Sequence, residues 1–415
     1  MSAFSLPLSG LAASSELLNV IANNLANLNT DGYKDEGLSF GDVFNQMQGT
    51  SGNGDPLQYG SGVEVDGETS NFANGTINST GVASNMALQG NGFFVVDNPA
   101  NGQESFTRDG EFTVNSQGQL CTPEGQLVMG YPAVNGTVST SAALAPITVN
   151  QASNIPAVAT TNFSMTTNLD SSAKVGTSFS TPITVYDSEG TSHVLSVTYT
   201  NTGANSWSYN ISIPGADVGS TAASQTVASG TMTFNSSGNL VTPTSPVGGI
   251  SISGLADGAA TMNLSWNLTG SGGAAQITQQ DATSATSATT QNGYGVGTLV
   301  GYSVLPDGTV QGEFSNDQTL ALGQVAVAGF ANVQGLAQTG NNDYQATFAS
   351  GNAVVGQAGA GGNGAIVGGA VEESNVNLSS EFANMIVAQQ GYEANAKVLT
   401  TMDDVSQATI QLISS

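Results

Sequence analysis

Both ends of the chain carry apolar residues at helical spacing. In segment 4–28 large apolar side chains recur every seven residues, and the set comprises Phe4, Leu11, Leu18 and Leu25, with Ile21 and Leu28 three residues after the last two. This repeat predicts an amphipathic helix of the coiled-coil type. Asp31-Gly32 is a stop signal for that helix, whereas Pro7 and Gly10 argue against a regular first turn.

The C-terminal segment repeats the pattern. One seven-residue register, interrupted at Ser406, contains Leu378, Met385, Tyr392, Leu399 and Ile413, and Phe382 and Met402 lie beside it. Asn377 is the predicted N-cap, because its side chain can accept hydrogen bonds from the first free N–H groups. Asn24 and Asn395 are predicted to lie off the two apolar stripes.

Between the ends the apolar period changes to two, which indicates β-strands. Strands are predicted at 93–96, 104–106, 111–114 and 126–129, separated by Asp-Gly, Gln-Gly and Glu-Gly turns. Two further hairpins are predicted, one joining 181–186 to 192–200 and the other joining 298–305 to 309–314. The predicted fold is therefore mainly β and multidomain, with a helix at each end.

Ser-, Thr-, Ala- and Gly-rich stretches mark the predicted domain boundaries. Residues 270–293 and 356–369 have the composition of linkers, and a similar patch covers 136–160. The predicted order is a terminal helix (1–30), an extended connector (31–72), the first half of an inner β domain (73–150), an inserted outer β domain (151–290), the second half of the inner domain (291–370) and a C-terminal helix (371–415).

The negative net charge of the chain disfavours two classes of binding partner, nucleic acids and anionic membranes. The 415 residues include four Lys and Arg against 30 Asp and Glu, a formal net charge of −26. Phosphate backbones and anionic membrane surfaces both require clustered positive charge, so nucleic acid and membrane binding are disfavoured. The N-terminus lacks the basic and apolar regions of a cleaved signal peptide, and no 18-residue apolar run predicts a membrane span.

Residues that carry chemistry are scarce. The single histidine, His193, shares strand parity with Leu195 and Val197, which favours a packed or hydrogen-bonded side chain over a catalytic one. The single cysteine, Cys121, is predicted to be a small buried residue of a strand. Gly359 begins a formal GxGxxG match, but it lies within a Gly-rich run. We therefore predict no enzyme, no catalytic site, no cofactor and no metal.

Several motifs resemble those of the axial proteins of the bacterial flagellum, the rod and hook subunits. The N-terminal motif consists of Ala22, Asn23, Asn24, Leu25, Ala26 and Asn27, followed by residues 29–34. Similar motifs occur, in the same order as in the family, at 90–96, 106–110, 127–131, 373–377, 385–390 and 392–395. Residues 184–193, 320–325 and 330–336 resemble the hook type in particular. Residues 201–290 carry no motif that resembles the family.

The resemblance implies a structural role. Similar subunits are exported unfolded through the flagellar type III apparatus, assemble beneath a cap and form a curved helical homopolymer, which transmits torque from rod to filament outside the cell. Their partners are further copies of themselves, the hook cap, the rod and hook–filament junction proteins and the export apparatus. The terminal helices of such proteins pack between subunits as coiled coils. The resemblance therefore implies that the apolar stripes of both helices pack between subunits. The stripe residues are Leu11, Leu18, Ile21, Leu25, Leu28, Leu378, Phe382, Met385, Tyr392, Leu399, Met402 and Ile413.

Three other interpretations stay open. A distal rod subunit would share the terminal motifs but would usually lack the large inserted domain. A secreted β-rich adhesin would suit the composition, although no short fixed-period repeat is present. The helices could also pack only on their own domain, as ordinary amphipathic helices do.

Overall fold

The computed structural model describes residues 4–43, 46–50, 56–150, 154–270 and 272–414. The chain divides into two compact units. Unit 1 contains residues 1–150, 301–312 and 319–415, and unit 2 contains residues 151–300 and 313–318. The fold is mainly β with a helix at each end, as predicted. Neither helix has an apolar stretch long enough to cross a lipid bilayer, within the ranges described.

The elements follow one another in this order. The N-terminal part contains α1 (Ser5–Ala26), β1 (Glu36–Asp42), β2 (Gln46–Thr50), β3 (Pro56–Tyr59), β4 (Val63–Ser70), β5 (Ile77–Ser79), β6 (Met86–Gln89), β7 (Phe93–Asn98), β8 (Gln103–Thr107), β9 (Thr113–Val114), β10 (Leu120–Cys121), β11 (Leu127–Val134), β12 (Thr137–Val138) and β13 (Ala145–Pro146). The middle part contains β14 (Asn154–Ile155), β15 (Asn162–Asp170), β16 (Ser178–Tyr186), β17 (Ser192–Gly203), β18 (Ser206–Pro214), a 3-10 turn (Gly215–Val218), β19 (Ser224–Phe234), β20 (Leu240–Thr242), β21 (Val247–Ile252), β22 (Met262–Asn267), β23 (Ile277–Gln280) and β24 (Ala285–Gln291). The last part contains β25 (Gly297–Val304), β26 (Thr309–Phe314), β27 (Thr319–Gly329), a 3-10 turn (Val333–Gly335), β28 (Ala337–Gly340), β29 (Asp343–Gln345), β30 (Val354–Gln357), β31 (Ala365–Gly368), β32 (Ala370–Glu372) and α2 (Leu378–Ser414).

The helix limits follow local chemistry. Helix α1 begins at Ser5 and includes Pro7, so the expectation of an irregular first turn was wrong. Proline is tolerated there because the N–H groups of a first turn have no partner within the helix. At the start of α2 the Asn377 side chain accepts hydrogen bonds from the N–H groups of Ser379 (3.0 Å) and Ser380 (3.2 Å), which confirms the predicted N-cap.

Unit 1 is built on a sheet in which β26, β27, β11, β7, β8, β29 and β28 are successive neighbours. Alternate residues of β7 point to opposite faces of this sheet. Phe94 and Val96 join one apolar cluster with Met86 and Val327, whereas Phe93 and its same-face neighbours join a second cluster with Tyr344. Both faces of the sheet are therefore covered.

Unit 2 contains a meander of β16 to β20 and a second sheet in which β15 pairs with β22, β23 and β24. The predicted hairpin of β16 and β17 is confirmed. Both sheets contribute to one core that includes Trp207 and Trp266, neither of which is exposed. His193 lies buried at the start of β17, as its strand parity predicted.

Three segment predictions differ from the structure. Residues 270–293, expected to be a linker, contain β23 and β24, which pair with β15. Most side chains of β24 are exposed, so few apolar residues mark that strand. The Gly-rich run 356–369 contains β31, which pairs with β6, and segment 31–72 contains the pairs β1–β4 and β2–β3 instead of a plain extended connector.

Candidate assembly site at the terminal helices

Helices α1 and α2 contact each other within unit 1 along a seam of small residues. Ala13 and Ala388 are both buried there. A Cβ at Gly10 would lie 2.7 Å from the amide nitrogen of Asn395, and a Cβ at Gly391 would lie 3.4 Å from Ser14 Oγ. The helices therefore approach closely because the seam lacks large side chains. Asn395, predicted to lie off the apolar stripe, belongs to this seam.

Asn24 links the C-terminal end of α1 to the start of α2 and to residues 33–36, and we call this region the helix base. Its amide donates to Asp35 Oδ1 (2.7 Å), to the backbone oxygen of Glu36 (2.9 Å) and to Glu381 Oε2 (3.3 Å), while its oxygen accepts from the Tyr33 hydroxyl (3.1 Å). Only 1% of Asn24 is exposed. Asn24, predicted to lie off the apolar stripe, is therefore a buried polar residue, which the fold tolerates because its hydrogen bonds are made.

A buried ion cluster joins three distant parts of the chain just beyond α1. Glu372 Oε1 lies 2.6 Å from Lys34 Nζ, and Glu372 Oε2 lies 3.3 Å from Arg108 Nη1. Burial lowers the pKa of both Lys34 and Arg108, and the nearby carboxylate of Glu372 opposes that shift. The guanidinium of Arg108 also lies over the Phe93 ring, 5.3 Å from its centroid. This cluster fixes the position at which the chain leaves α1.

Acidic side chains surround the helix base. Burial, followed by the charges of Glu381 and Glu36, raises the pKa of Asp35. Burial raises the pKa of Asp109 to about 6, although a backbone hydrogen bond from Glu111 opposes the shift. The base of unit 1 therefore takes up protons near neutral pH more readily than free aspartates would.

Helix α2 exposes apolar side chains on two faces. One face carries Leu378, Phe382, Ile386 and Tyr392, and the other carries Val387, Val398, Val405 and Leu412. At 3.6 residues per turn the two sets point in roughly opposite directions. The exposed fractions run from 42% at Leu378 to 79% at Leu412, so α1 covers neither face.

The residues of the predicted stripes are not equivalent in the structure. Leu378, Phe382 and Tyr392 are exposed, whereas Met385, Leu399 and Met402 are half-buried near α1. Of the predicted N-terminal stripe residues, Ile21 is fully buried, and the half-buried ones are Leu11, Leu18, Leu25 and Leu28. The side chain of Ile413 lies outside the described residues. The other motif residues divide in the same way, since Ala22, Asn23 and Ala26 are exposed and Asn27 is half-buried.

The sequence interpretation did not predict the second apolar face of α2, which carries Val387, Val398 and Val405. Its valines follow one another at intervals of eleven and seven residues, which is a helical signal that the single seven-residue register did not include. Part of this face forms an apolar groove of about 740 Å³ next to Phe4, lined by Ala394, Val398, Met402 and Val405.

Four family models match successive parts of the chain. The flagella basal body rod protein model matches residues 8–34, and the flagellar hook protein FlgE/F/G D1 domain matches 87–168. The flagellar basal body protein FlaE D2 domain matches 154–294, and the C-terminal model of flagellar basal body rod FlgEFG proteins matches 367–412. The D2 match includes residues 201–290, for which the sequence motifs showed no resemblance.

Relatives match over nearly the whole length. The flagellar hook protein FlgE of Salmonella typhimurium is 38% identical, and the match covers 99% of each chain. The flagellar hook protein FlgE of Escherichia coli K12 is 37% identical over 99% of this chain and 100% of its own. The crystal structure of Helicobacter pylori flagellar hook protein FlgE2 has a similar fold, with a TM-score of 0.52 at 15% identity over 70% of this chain and 98% of that chain. This chain belongs to the flagellar hook protein FlgE family.

Proposed function

We propose that the chain is the structural subunit of the bacterial flagellar hook and that copies of it assemble into an open, curved helical tube. The observation that carries this proposal is the pair of opposite apolar faces on α2. A helix that packs only on its own domain needs one apolar stripe. Helix α2 has two apolar faces that α1 does not cover, so it can pack against a helix of another copy on each side. An assembly in which helices pack side by side requires such a helix.

The polymer is open because its interface is heterologous. If one face of α2 contacts the opposite face, or α1, of the next copy, the two surfaces in contact differ. Repetition of such a contact generates a ring when the rotation closes and a helix when it does not. We infer that the tube joins rod to filament and transmits torque, with hook cap, rod and junction proteins as its neighbours, and that the subunit lies outside the cell. Full-length relatives named as hook proteins favour this function over that of a distal rod subunit.

The test compares two exposed positions of α2. Val405→Asp places a carboxylate on the second apolar face, whereas Gln390→Asp places the same group at an exposed polar position of the same helix. Because both side chains are exposed in the subunit, circular dichroism and the melting temperature of the monomer should remain unchanged in both variants. Electron microscopy of concentrated protein should show tubes for Gln390→Asp and none for Val405→Asp.

Two results would contradict the proposal. Tubes formed by Val405→Asp as readily as by the unmodified protein would show that this face is not an interface. A lower melting temperature of the Val405→Asp monomer with unchanged tubes would show that α2 packs only within its own subunit.

A further inference from the structure

The imidazole of His193 in unit 2 is surrounded by three carboxylates. Its Nε2 lies 3.1 Å from Asp187 Oδ2 and 3.7 Å from Asp257 Oδ2, while its Nδ1 lies 3.0 Å from Asp217 Oδ2. Only 4% of His193 is exposed, and Asp187 is completely buried. These residues come from a strand end and three loops, so no spacing motif in the sequence indicates that they meet.

Backbone hydrogen bonds orient the carboxylates of Asp187 and Asp257, so that one oxygen of each faces the imidazole ring. Asp187 Oδ1 accepts from the N–H groups of Glu189 and Thr191 at 2.8 and 2.9 Å, which leaves Oδ2 for His193. Asp257 Oδ1 accepts from Ala259 N–H at 3.1 Å, which likewise leaves its Oδ2. Two of the loops are also tied together, since Ala256 N–H donates to the Asp217 backbone oxygen at 2.8 Å. The arrangement is thus fixed by the fold.

The charges of this group do not balance. Three carboxylates carry a formal charge of −3, and a protonated imidazole compensates only one of these charges. Within the described residues of the chain, the ion pairs of these aspartates are all with His193. Because the carboxylates of Asp187 and Asp257 both lie next to His193 Nε2, a cation bound between them would offset the remaining negative charge.

We propose that His193 Nε2, Asp187 Oδ2 and Asp257 Oδ2 bind a divalent transition-metal ion, Zn²⁺ in particular. These three atoms all lie within 4.8 Å of one another. A tetrahedral zinc site with bonds of about 2.0–2.1 Å has ligand–ligand edges of roughly 3.4 Å, close to the distances from Nε2 to the two carboxylates. A mixed nitrogen and oxygen set favours zinc over calcium, which takes oxygen ligands.

Asp217 completes the site as a positioning residue. Its contact with Nδ1 fixes the tautomer that carries the Nδ1 proton, so that Nε2 can bind the metal when the Nε2 proton leaves to solvent. The Asp257 side chain is 25% exposed, which gives the ion a route to the site and leaves room for a water molecule as fourth ligand. The bound ion would clamp the three loops to β17 and stabilise unit 2, independently of how the subunit assembles.

The experiment uses the untagged full chain, freed of metal with a chelator and titrated with ZnCl₂. Calorimetry should give one site per chain, and the ring signals of the only histidine should shift on binding in NMR spectra. Asp257→Asn changes the most accessible ligand and should weaken zinc binding at least tenfold while the melting temperature of the metal-free protein is kept. Asp217→Asn should weaken binding about 10–100-fold, whereas Asp281→Asn, an exposed carboxylate elsewhere in unit 2, should change nothing.

Two outcomes would overturn the proposal. One is the absence of stoichiometric zinc binding to the folded protein, which would mean that the three carboxylates only contact His193. The other is binding that leaves the histidine signals unmoved or that Asp257→Asn does not weaken, which would place the metal elsewhere.

Discussion

The terminal helices and the core of unit 2 differ in how far their large apolar side chains are exposed. In unit 2, Trp207, Trp266 and Phe163 are almost completely buried, and the Phe163 and Trp266 rings stack with centroids 5.9 Å apart. In α2 the large apolar residues Phe382 and Val405 are at least half exposed. The difference shows that unit 2 completes its own hydrophobic core, whereas α2 leaves large apolar side chains exposed in the single subunit.

The largest effect on the subunit is expected in the completed core. Trp266→Ala removes a ring that contacts Phe163 and lies edge-on to Tyr209, and it should lower the free energy of unfolding of unit 2 by about 3–5 kcal/mol. Denaturant unfolding, followed by the fluorescence of Trp207, measures the loss. Val300→Ala, at an exposed position of the same unit, is the control and should cost little. A loss at Trp266 no larger than at Val300 would contradict the contrast between the two regions.

A smaller effect is expected at the seam of the two helices. Ala388 is buried against α1, whereas Ala383 of the same helix is exposed. Ala388→Asp should cost about 1–3 kcal/mol more than Ala383→Asp, because only the first places a carboxylate in an apolar contact. The lower helix propensity of aspartate affects both variants alike. Thermal unfolding followed by the helical signal separates them, and equal melting temperatures would show that the seam contributes nothing.

A pH effect should follow from Asp109. Its pKa is about 6 in the folded chain, against 3.8 for an aspartate free of such burial, so the folded state binds more protons between these values. Unit 1 should therefore gain stability as pH falls from 7.5 to 5. Asp109→Asn should reduce this gain, whereas Asp281→Asn should leave it unchanged. Denaturant titrations at the two pH values measure the difference, and an unchanged pH dependence in Asp109→Asn would refute the assignment.

The smallest effect per subunit concerns long-range charge. Every copy carries a formal charge of −26, so neighbouring copies in a polymer repel each other. Salt screens this repulsion, and added salt should shift assembly to lower protein concentration while the melting temperature of the monomer hardly changes. Light scattering at low and high ionic strength measures the shift. Assembly that does not respond to salt would show that local contacts dominate over net charge.

The sequence predicted the elements whose apolar period is regular. The β16–β17 hairpin was correctly predicted because alternate residues enter a core, and β7 because its apolar run is buried on both faces of the sheet. Strand β24 was missed because its partner β15 supplies backbone hydrogen bonds while its own side chains stay exposed. Long-range pairing of this kind has no local signal.

The site was predicted only in part for the same reason. The seven-residue register identified both helices, but it could not tell which apolar residues face α1 and which remain exposed. The burial of Asn24 depends on Glu381, 357 positions away, and on the loop that carries Asp35. The group around His193 likewise consists of residues that only the folded chain brings together.

The ion cluster of Lys34, Arg108 and Glu372 makes folding of unit 1 depend on a chain that extends at least to Glu372. Lys34 and Glu372 are 338 positions apart, and each of the two cations loses its buried counter-charge if Glu372 is missing. An unpaired buried charge is strongly destabilising, by about 3–5 kcal/mol when one partner of such a pair is removed. A chain cut short before β32 would therefore be unable to close its own base. The cluster therefore makes the folded state of unit 1 depend on residues from both ends of the chain.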